Sequence, residues 1–262
     1  MILDDIVAHK RAEIARRKAE VPAAELEARA DRQPAPIDFA ATLRGPGVSL
    51  IAEVKRASPS KGTFAPNLHA EEIATQYAEG GAAAVSVLTD ERFFLGGLDD
   101  LASVRRAVGD ALPILRKDFL LDRYQIVEAR AFGADAVLLI VRILTDDELC
   151  ELLDETRRRG MTALIEVHDE EDIARIARQA PRVVGINRRN LSDFSVDLTT
   201  FGRLRGLVPE DTVVIAASGI GCAQDVASVG AAGADAVLVG EALVTAPDPE
   251  EKVRELVGGG PA

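Results

Sequence analysis

Four charged residues stand where apolar runs of this sequence end. Glu53 and Lys55 close Leu50-Ile-Ala-Glu-Val-Lys-Arg56, Lys117 closes Leu115-Arg-Lys-Asp-Phe119, and Glu166 closes Leu164-Ile-Glu-Val-His168. Side chains alternate along a strand, so Ile51, Glu53 and Lys55 share one face. A charge aimed inward from an apolar strand is costly unless it is paired or used. Two lysines and two glutamates converging on one rim would shift each other's pKa values and suit general acid–base chemistry. Taken by itself, the Glu53–Lys55 pair has a second, blander reading as a surface ion pair closing a strand. The turn Ser58-Pro59-Ser60 follows directly and reads as a loop that closes over a substrate. Three further runs end in polar or glycine residues: Asn187-Arg-Arg189-Asn-Leu191, Ala217-Ser218-Gly219 and Val239-Gly240-Glu241. Gly219 and Gly240 have two readings, close backbone approach to a phosphate or tight packing of strand on helix. His168 is read as a structural histidine.

These residues need a frame that brings strand ends together. From Ser49 onward the pattern alternates strand and helix. Gly81-Ala-Ala-Ala-Val, Gly133-Ala-Asp-Ala-Val and Gly233-Ala-Asp-Ala-Val each follow a helical stretch and open an apolar run, at spacings of 52 and 100 residues. The glycine suits a helix C-terminus, and the run suits a strand buried on both faces. If the spacings are two and four strand–helix units, each unit has about 25 residues and eight of them fill the chain, which selects a closed eightfold α/β barrel over an open sheet. Strands are expected near 50–56, 83–88, 113–117, 136–141, 162–167, 183–187, 212–217 and 236–239. Helices are expected near 70–79, 98–108, 123–132, 146–159, 170–179, 198–207 and 223–231, with a last one from Pro249. Asp146 after Thr145, and Glu250 after Asp248-Pro249, look like N-terminal caps.

Residues 2–31 read as an amphipathic helix interrupted at Pro22. Ile2, Leu3, Ile6 and Val7 form its apolar stripe, with Lys10, Arg11, Arg16, Arg17 and Lys18 toward water. A Pro-containing connection leads to Ser49, with Phe39 and Leu43 as buried anchors. The expected organisation is an N-terminal helical arm over 1–48 and a barrel over 49–262, as one structural domain.

Composition narrows the function classes. The net charge of −12 argues against nucleic-acid binding, and the absence of Trp leaves no stacking platform. No apolar run is long enough to span a bilayer, and the N-terminus lacks a signal-peptide core. Cys150 and Cys222 offer neither a disulfide framework nor metal-ligand spacing. A reducing cytoplasm is the expected home.

The stretch Glu53-Val-Lys-Arg-Ala-Ser-Pro-Ser60 resembles the signature of the indole-3-glycerol phosphate synthase family, and the resemblance runs through nearly the whole chain. It implies a (β/α)8 TIM barrel whose extra N-terminal helix lies across the mouth. It also implies a reaction: 1-(2-carboxyphenylamino)-1-deoxyribulose 5-phosphate closes its ring, loses carbon dioxide and loses water to give indole-3-glycerol phosphate. Lys117 resembles the family's general acid, Glu166 its strand-5 glutamate, Asn187 its substrate-positioning asparagine and Ser218 its strand-7 serine. Glu53, Lys55 and Glu166 would share the dehydration, with their roles undivided. Ser58, Arg189, Gly219, Gly240 and Glu241 match the phosphate site, and Phe94, Phe119, Leu138 and Leu191 would line the pocket for the aromatic ring. No step needs redox chemistry or an electron sink, so no cofactor and no metal are expected. The expected partner is a small phosphorylated substrate, with no nucleic acid or membrane, in a monomer or a weak homodimer.

The chain departs from the family pattern at Ala217, where the family reads Glu, and at Gly221-Cys222, where it often has Arg. Two other readings stay open. One is another phosphate-binding barrel such as phosphoribosylanthranilate isomerase, which would place a Cys or Asp acid–base pair at strands 1 and 6. The other is a low-activity or non-catalytic paralogue that binds the same ligand.

Overall fold

The structure is a computed structural model and describes residues 2–189 and 195–258. Eight parallel strands close into a barrel in sequence order: β1 (Ser49–Val54), β2 (Ala84–Leu88), β3 (Ile114–Lys117), β4 (Ala136–Ile140), β5 (Thr162–Val167), β6 (Val183–Asn187), β7 (Val213–Ala217) and β8 (Ala236–Val239), with β8 pairing back onto β1. The alternation expected of strands divides every one of them between two cores. Leu50, Ala52, Val54, Val85, Val87 and Ile114 face outward and pack under the helices. Ile51, Ala84, Leu115, Ala136, Leu138, Leu164, Ile215 and Leu238 fill the inside. Strands buried on both faces explain the near-continuous apolar runs in the sequence.

The outer helices include Ala70–Gly80, Leu98–Val108, Arg123–Ala131, Asp146–Arg158, Glu170–Ile176, Thr200–Arg205, Ala223–Ala231 and Pro249–Val257. Most bounds agree with the sequence to within a residue or two. The expected 198–207 helix shortens because Asp197 Oδ1 takes the Thr199 amide at 2.9 Å and ends the approach in a turn. The caps lie one and two residues earlier than the sequence reading put them. Thr145, not Asp146, caps its helix, in a reciprocal box with Glu148, and Asp248, not Glu250, accepts the Glu251 amide. Both are the side chains just outside the first turn, where a free amide needs an acceptor.

The repeats have a structural basis. Gly81, Gly133 and Gly233 all take positive φ, at 95°, 93° and 91°, one or two residues past the end of each helix. Asp135 Oδ2 accepts the Ile114 amide and Asp235 Oδ2 accepts the Val214 amide, at 2.8 and 2.7 Å, so each aspartate pins the start of the preceding strand. Arg105 and Arg205 donate to the carbonyls of Gly133 and Gly233. Each element of this unit recurs 100 residues on, half a barrel away.

The first helices, α1 (Ile2–Glu20) and α2 (Ala23–Ala30), are joined at Pro22, and Tyr124 Oη binds the carbonyls of Arg17 and Val21 at the join. Leu3 and Ile6 of α1 reach the barrel mouth. A short helix, α3 (Phe39–Thr42), closes the opposite end, with Phe39 and Leu43 fully buried against the inner core.

Lys10 does not face water. It is fully buried, with Nζ 2.9 Å from Asp90, 2.9 Å from Asp118 and 3.0 Å from Glu13. Arg17 is mostly covered as well, between Glu13, Glu91 and Glu128. Asp90 and Asp118 come from the ends of β2 and β3, and Glu128 from the helix Arg123–Ala131, all far away in sequence, so helical periodicity alone carried no sign of them.

Candidate active site

A cavity of about 630 Å³ opens at the C-terminal ends of the strands. Its floor is built by strand register. Glu53 is level with Ser86 on β2, and Ser86 is level with Leu115 on β3. The small Ser86 side chain leaves room for Lys117, two residues further along β3, to reach across. Lys117 Nζ lies 3.3 Å from Glu53 Oε2, and Lys55 Nζ lies 3.0 Å from Glu53 Oε1. One buried carboxylate thus sits between two ammonium groups that face the cavity.

The electrostatics follow from this arrangement. Burial would raise the Glu53 carboxyl, but Lys117 and Lys55 outweigh it and hold Glu53 below the usual carboxylate range. Burial would lower Lys117, but Glu53 and then Glu166 outweigh it and hold the ammonium above its ordinary value. At neutral pH Glu53 is ionised and Lys117 is protonated.

A second chain of contacts crosses β5, β6 and β7. Asn187 Nδ2 donates to Glu166 Oε1 at 3.1 Å, and Asn187 Oδ1 accepts from Ser218 Oγ at 2.9 Å and from the Arg189 amide at 3.0 Å. Asn187 is therefore fixed on both sides. His168 stands behind Glu166, with Nε2 3.4 Å from its carboxylate and Nδ1 3.6 Å from Asp172. Its covered ring backs the site and does not line the cavity.

Most of the residues singled out in the sequence meet here. Glu53, Lys55, Ser58, Lys117, Glu166, Asn187, Arg189, Ala217, Ser218, Gly219, Gly240 and Glu241 all line the cavity. So do Phe94 and Phe119, whose rings lie 6.2 Å apart at 42°. Leu138 does not. It is level with Leu164, one layer beneath Glu166 and Ile140, and belongs to the inner core. Leu191 lies outside the described residues.

The two glycines resolve into different needs. A Cβ on Gly240 would fall 2.5 Å from Glu53 Oε1, so its missing side chain makes room for the central carboxylate. Gly219 has φ of 69°, and a Cβ there would fall 2.8 Å from Val196. Ser218 shares the left-handed conformation at φ 70°, a strained state for a residue with a side chain.

The sequence reading missed several lining residues, among them Lys61, Val196, Ile220, Asp225 and Leu238. Lys61 reaches from the tip of the loop after β1 to Glu241 at 2.5 Å, spanning the mouth. A lysine two residues beyond Pro59 carried no signal beyond that of any exposed loop charge. Asp225 sits at the start of a helix and accepts the Gly221 and Cys222 amides, so those two donors are already taken.

Comparison with known proteins gives the family of the chain. Residues 3–256 match the model of a family described as indole-3-glycerol phosphate synthase. Curated proteins of that name are similar along almost the full length. The one from Roseiflexus sp. is 49% identical over 265 residues, covering 98% of both chains. The one from Nocardioides sp. is 52% identical over 258 residues, again covering 98% of both. Among solved structures, 3-hexulose-6-phosphate synthase from Salmonella typhimurium superposes with a TM-score of 0.65 at 12% identity, over 81% of this chain and 98% of the other. Thiamine phosphate pyrophosphorylase from Pyrococcus furiosus superposes at 0.62 and 16% identity, over 85% and 97%. These two likenesses carry the barrel fold, and the sequence matches carry the family. The chain belongs to the indole-3-glycerol phosphate synthase family, the ring-closing carboxy-lyases of tryptophan biosynthesis.

Proposed function

We propose that the family's reaction runs in this cavity with Lys117 as the general acid of ring closure. The observation that carries this reading is the Lys55–Glu53–Lys117 chain at the cavity floor. As the aryl carbon attacks the sugar ketone, the ketone oxygen develops into an alkoxide. A lysine whose ammonium is held above its ordinary value is a weak acid toward water. An alkoxide is far more basic, so transfer to it is still downhill, and the cation stabilises the charge as it forms. Loss of carbon dioxide then restores the aromatic ring.

Dehydration needs one group to give a proton to the departing hydroxyl and another to take one. Glu53 remains ionised between two cations, which suits it to holding them in place. Glu166 faces the cavity from the opposite wall, held by Asn187, and is the carboxylate left to take the proton. Lys55 is the remaining donor. Asn187 and Ser218 orient the sugar.

The substrate's two ends call for two different walls. Phe94 and Phe119 form an apolar wall for the anthranilate ring, roofed by Leu3 and Ile6. Ser58, Arg189 and the backbone at Gly219, Gly240 and Glu241 form the side for the phosphate. This reading makes the partner a small phosphorylated substrate rather than nucleic acid or a membrane, with no cofactor or metal required. Among the described residues no helix is long and apolar enough to cross a membrane, and a cytoplasmic monomer or weak homodimer fits the reading.

A steady-state assay of indole-3-glycerol phosphate formation tests it. Turnover is the expected result. Binding of the substrate without product would make the chain a non-catalytic paralogue, and isomerisation of phosphoribosylanthranilate would assign it to a different phosphate-binding barrel.

A further inference from the structure

The loop after β6 turns back on itself. Arg189 and Val196 form an antiparallel bridge, and the Asp197 amide donates to the Arg188 carbonyl at 3.0 Å. This lays Val196 and Leu198 over Gly219, where an added Cβ would lie 2.8 and 3.3 Å from their side chains and 3.4 Å from Arg188 Nη2. The left-handed pair Ser218–Gly219 is thus covered by the returning loop together with a guanidinium.

That guanidinium has an unusual setting. Arg188 is 5% exposed, is not part of the cavity lining, and pairs with no carboxylate among the described residues. Its Nε and Nη2 both donate to the Ser218 carbonyl, at 3.0 and 2.6 Å. Burial draws its pKa down, and the field of Asp225 opposes this only in part. A buried cation is costly unless something compensates it. Here the compensation at hand is one carbonyl, the field of Asp225 and, on the reading above, the phosphate on the adjoining wall.

We propose that Arg188 is a positioning residue of the phosphate site, whose forked hold on the Ser218 carbonyl fixes the left-handed turn that presents the Gly219 amide to the anion. The proposal rests on the reading above that the phosphate lies against Gly219, Gly240 and Arg189. A planar fork holds one carbonyl from two directions, which an ammonium cannot do. Ser218 Oγ is bound to Asn187, so the same turn also couples the phosphate wall to the residue that faces Glu166.

The test is the competitive inhibition constant of inorganic phosphate, measured with kcat, KM and melting temperature on Arg188→Met, Arg188→Lys and the control Arg189→Ala. For Arg188→Met, the phosphate constant and KM should both rise about tenfold while kcat stays within about threefold, because the phosphate is held alike in ground and transition states. Arg188→Lys keeps the charge and loses the fork, so it should lie between the two, about threefold weaker than the parent. If Arg188→Met does not fold, Arg188→Lys carries the test on its own. A residue that only supports the fold would lower kcat and melting temperature and leave the phosphate constant of the folded protein where it was. That result, or an unchanged phosphate constant while Arg189→Ala raises it, overturns the proposal alone. If Arg189→Ala also leaves the constant unchanged, the phosphate is placed wrongly and both readings fall.

Discussion

Two buried charge clusters lie back to back across the end of β3, and they differ in what they leave open. Lys117 points into the barrel, to Glu53 and Lys55, on the floor of the cavity. Its neighbours Arg116 and Asp118 point the other way. Asp118 meets Lys10 at 2.9 Å and Arg116 at 3.2 Å, accepts Thr89 Oγ1 at 2.7 Å, and also takes the Phe119 amide at 2.8 Å. Arg116 goes on to Glu128, which holds Arg17. The outer cluster ties α1 to the ends of β2 and β3 and is covered almost entirely. The inner cluster has similar residue types at similar distances but faces space that a substrate can fill. Strand alternation alone separates the two, because adjacent residues must face opposite ways. The difference is that the same pairs of Lys and Asp or Glu are enclosed on all sides in the outer cluster and border an open cavity in the inner one.

Four substitutions or conditions would break or sharpen that division. The largest effect is expected for Lys117→Met, with a loss of kcat of roughly 10²–10⁴-fold in a protein that still folds and binds substrate. Activity within a few-fold of the parent would remove Lys117 from its role. Lys10→Met comes next. It leaves three buried carboxylates without their shared cation, so chemical denaturation should show a loss of about 3–5 kcal/mol. Should Lys10→Met instead keep its stability and lose kcat as Lys117→Met does, the outer cluster would belong to the chemistry and the division would fail.

Ala217→Glu tests the inner side from another direction. Ala217 lines the cavity, level with Asn187 and Leu238. A carboxylate there that binds the sugar more tightly in the transition state should raise kcat about tenfold, the value of one hydrogen bond to a charged group. An unchanged kcat would mean that this position makes no contribution here, and a lower melting temperature without gain would mean that the pocket has closed around alanine.

The smallest effect is expected from pH. Burial would raise Asp118, but Lys10 and Arg116 outweigh it and bring its pKa down to about 2 from 3.8. A carboxyl depressed on folding contributes stability that is complete above the unfolded value and is lost as pH falls through the folded one. The protein should therefore lose about 2 kcal/mol between roughly pH 4 and pH 2 from this group. Lys10→Met should flatten that part of the profile, and an acid limb unchanged in the variant would exclude Asp118 as its source.

Much of this was legible in the chain. Runs of Val, Ile, Leu and Ala located all eight strands, because buried parallel strands must be apolar on both faces. The interruption of those runs by Glu53, Lys117, Glu166 and Asn187 marked the residues at the mouth, because a charge or amide in such a run has to point at something. The three Gly-Ala repeats marked where helices end, because a left-handed residue is needed there. What the sequence could not carry was distance across the barrel. Lys10 reads as one more cation on a solvent face, and its burial follows from Asp90 and Asp118, each brought from the end of a different strand. Leu138 reads as a strand-end apolar residue, and only the register with Leu164 shows that it lies a layer too deep. Gly240 reads as a phosphate glycine, and only the position of Glu53 shows what else requires it. Nor does the chain reveal that Ser218 is left-handed or that Arg188 holds its carbonyl. Local pattern determines which residues alternate, turn or cap, since those choices depend on neighbours in the chain. Which charges meet, and whether they meet in an enclosed space or an open one, depends on how the strands are sheared and closed, and only the tertiary structure decides that.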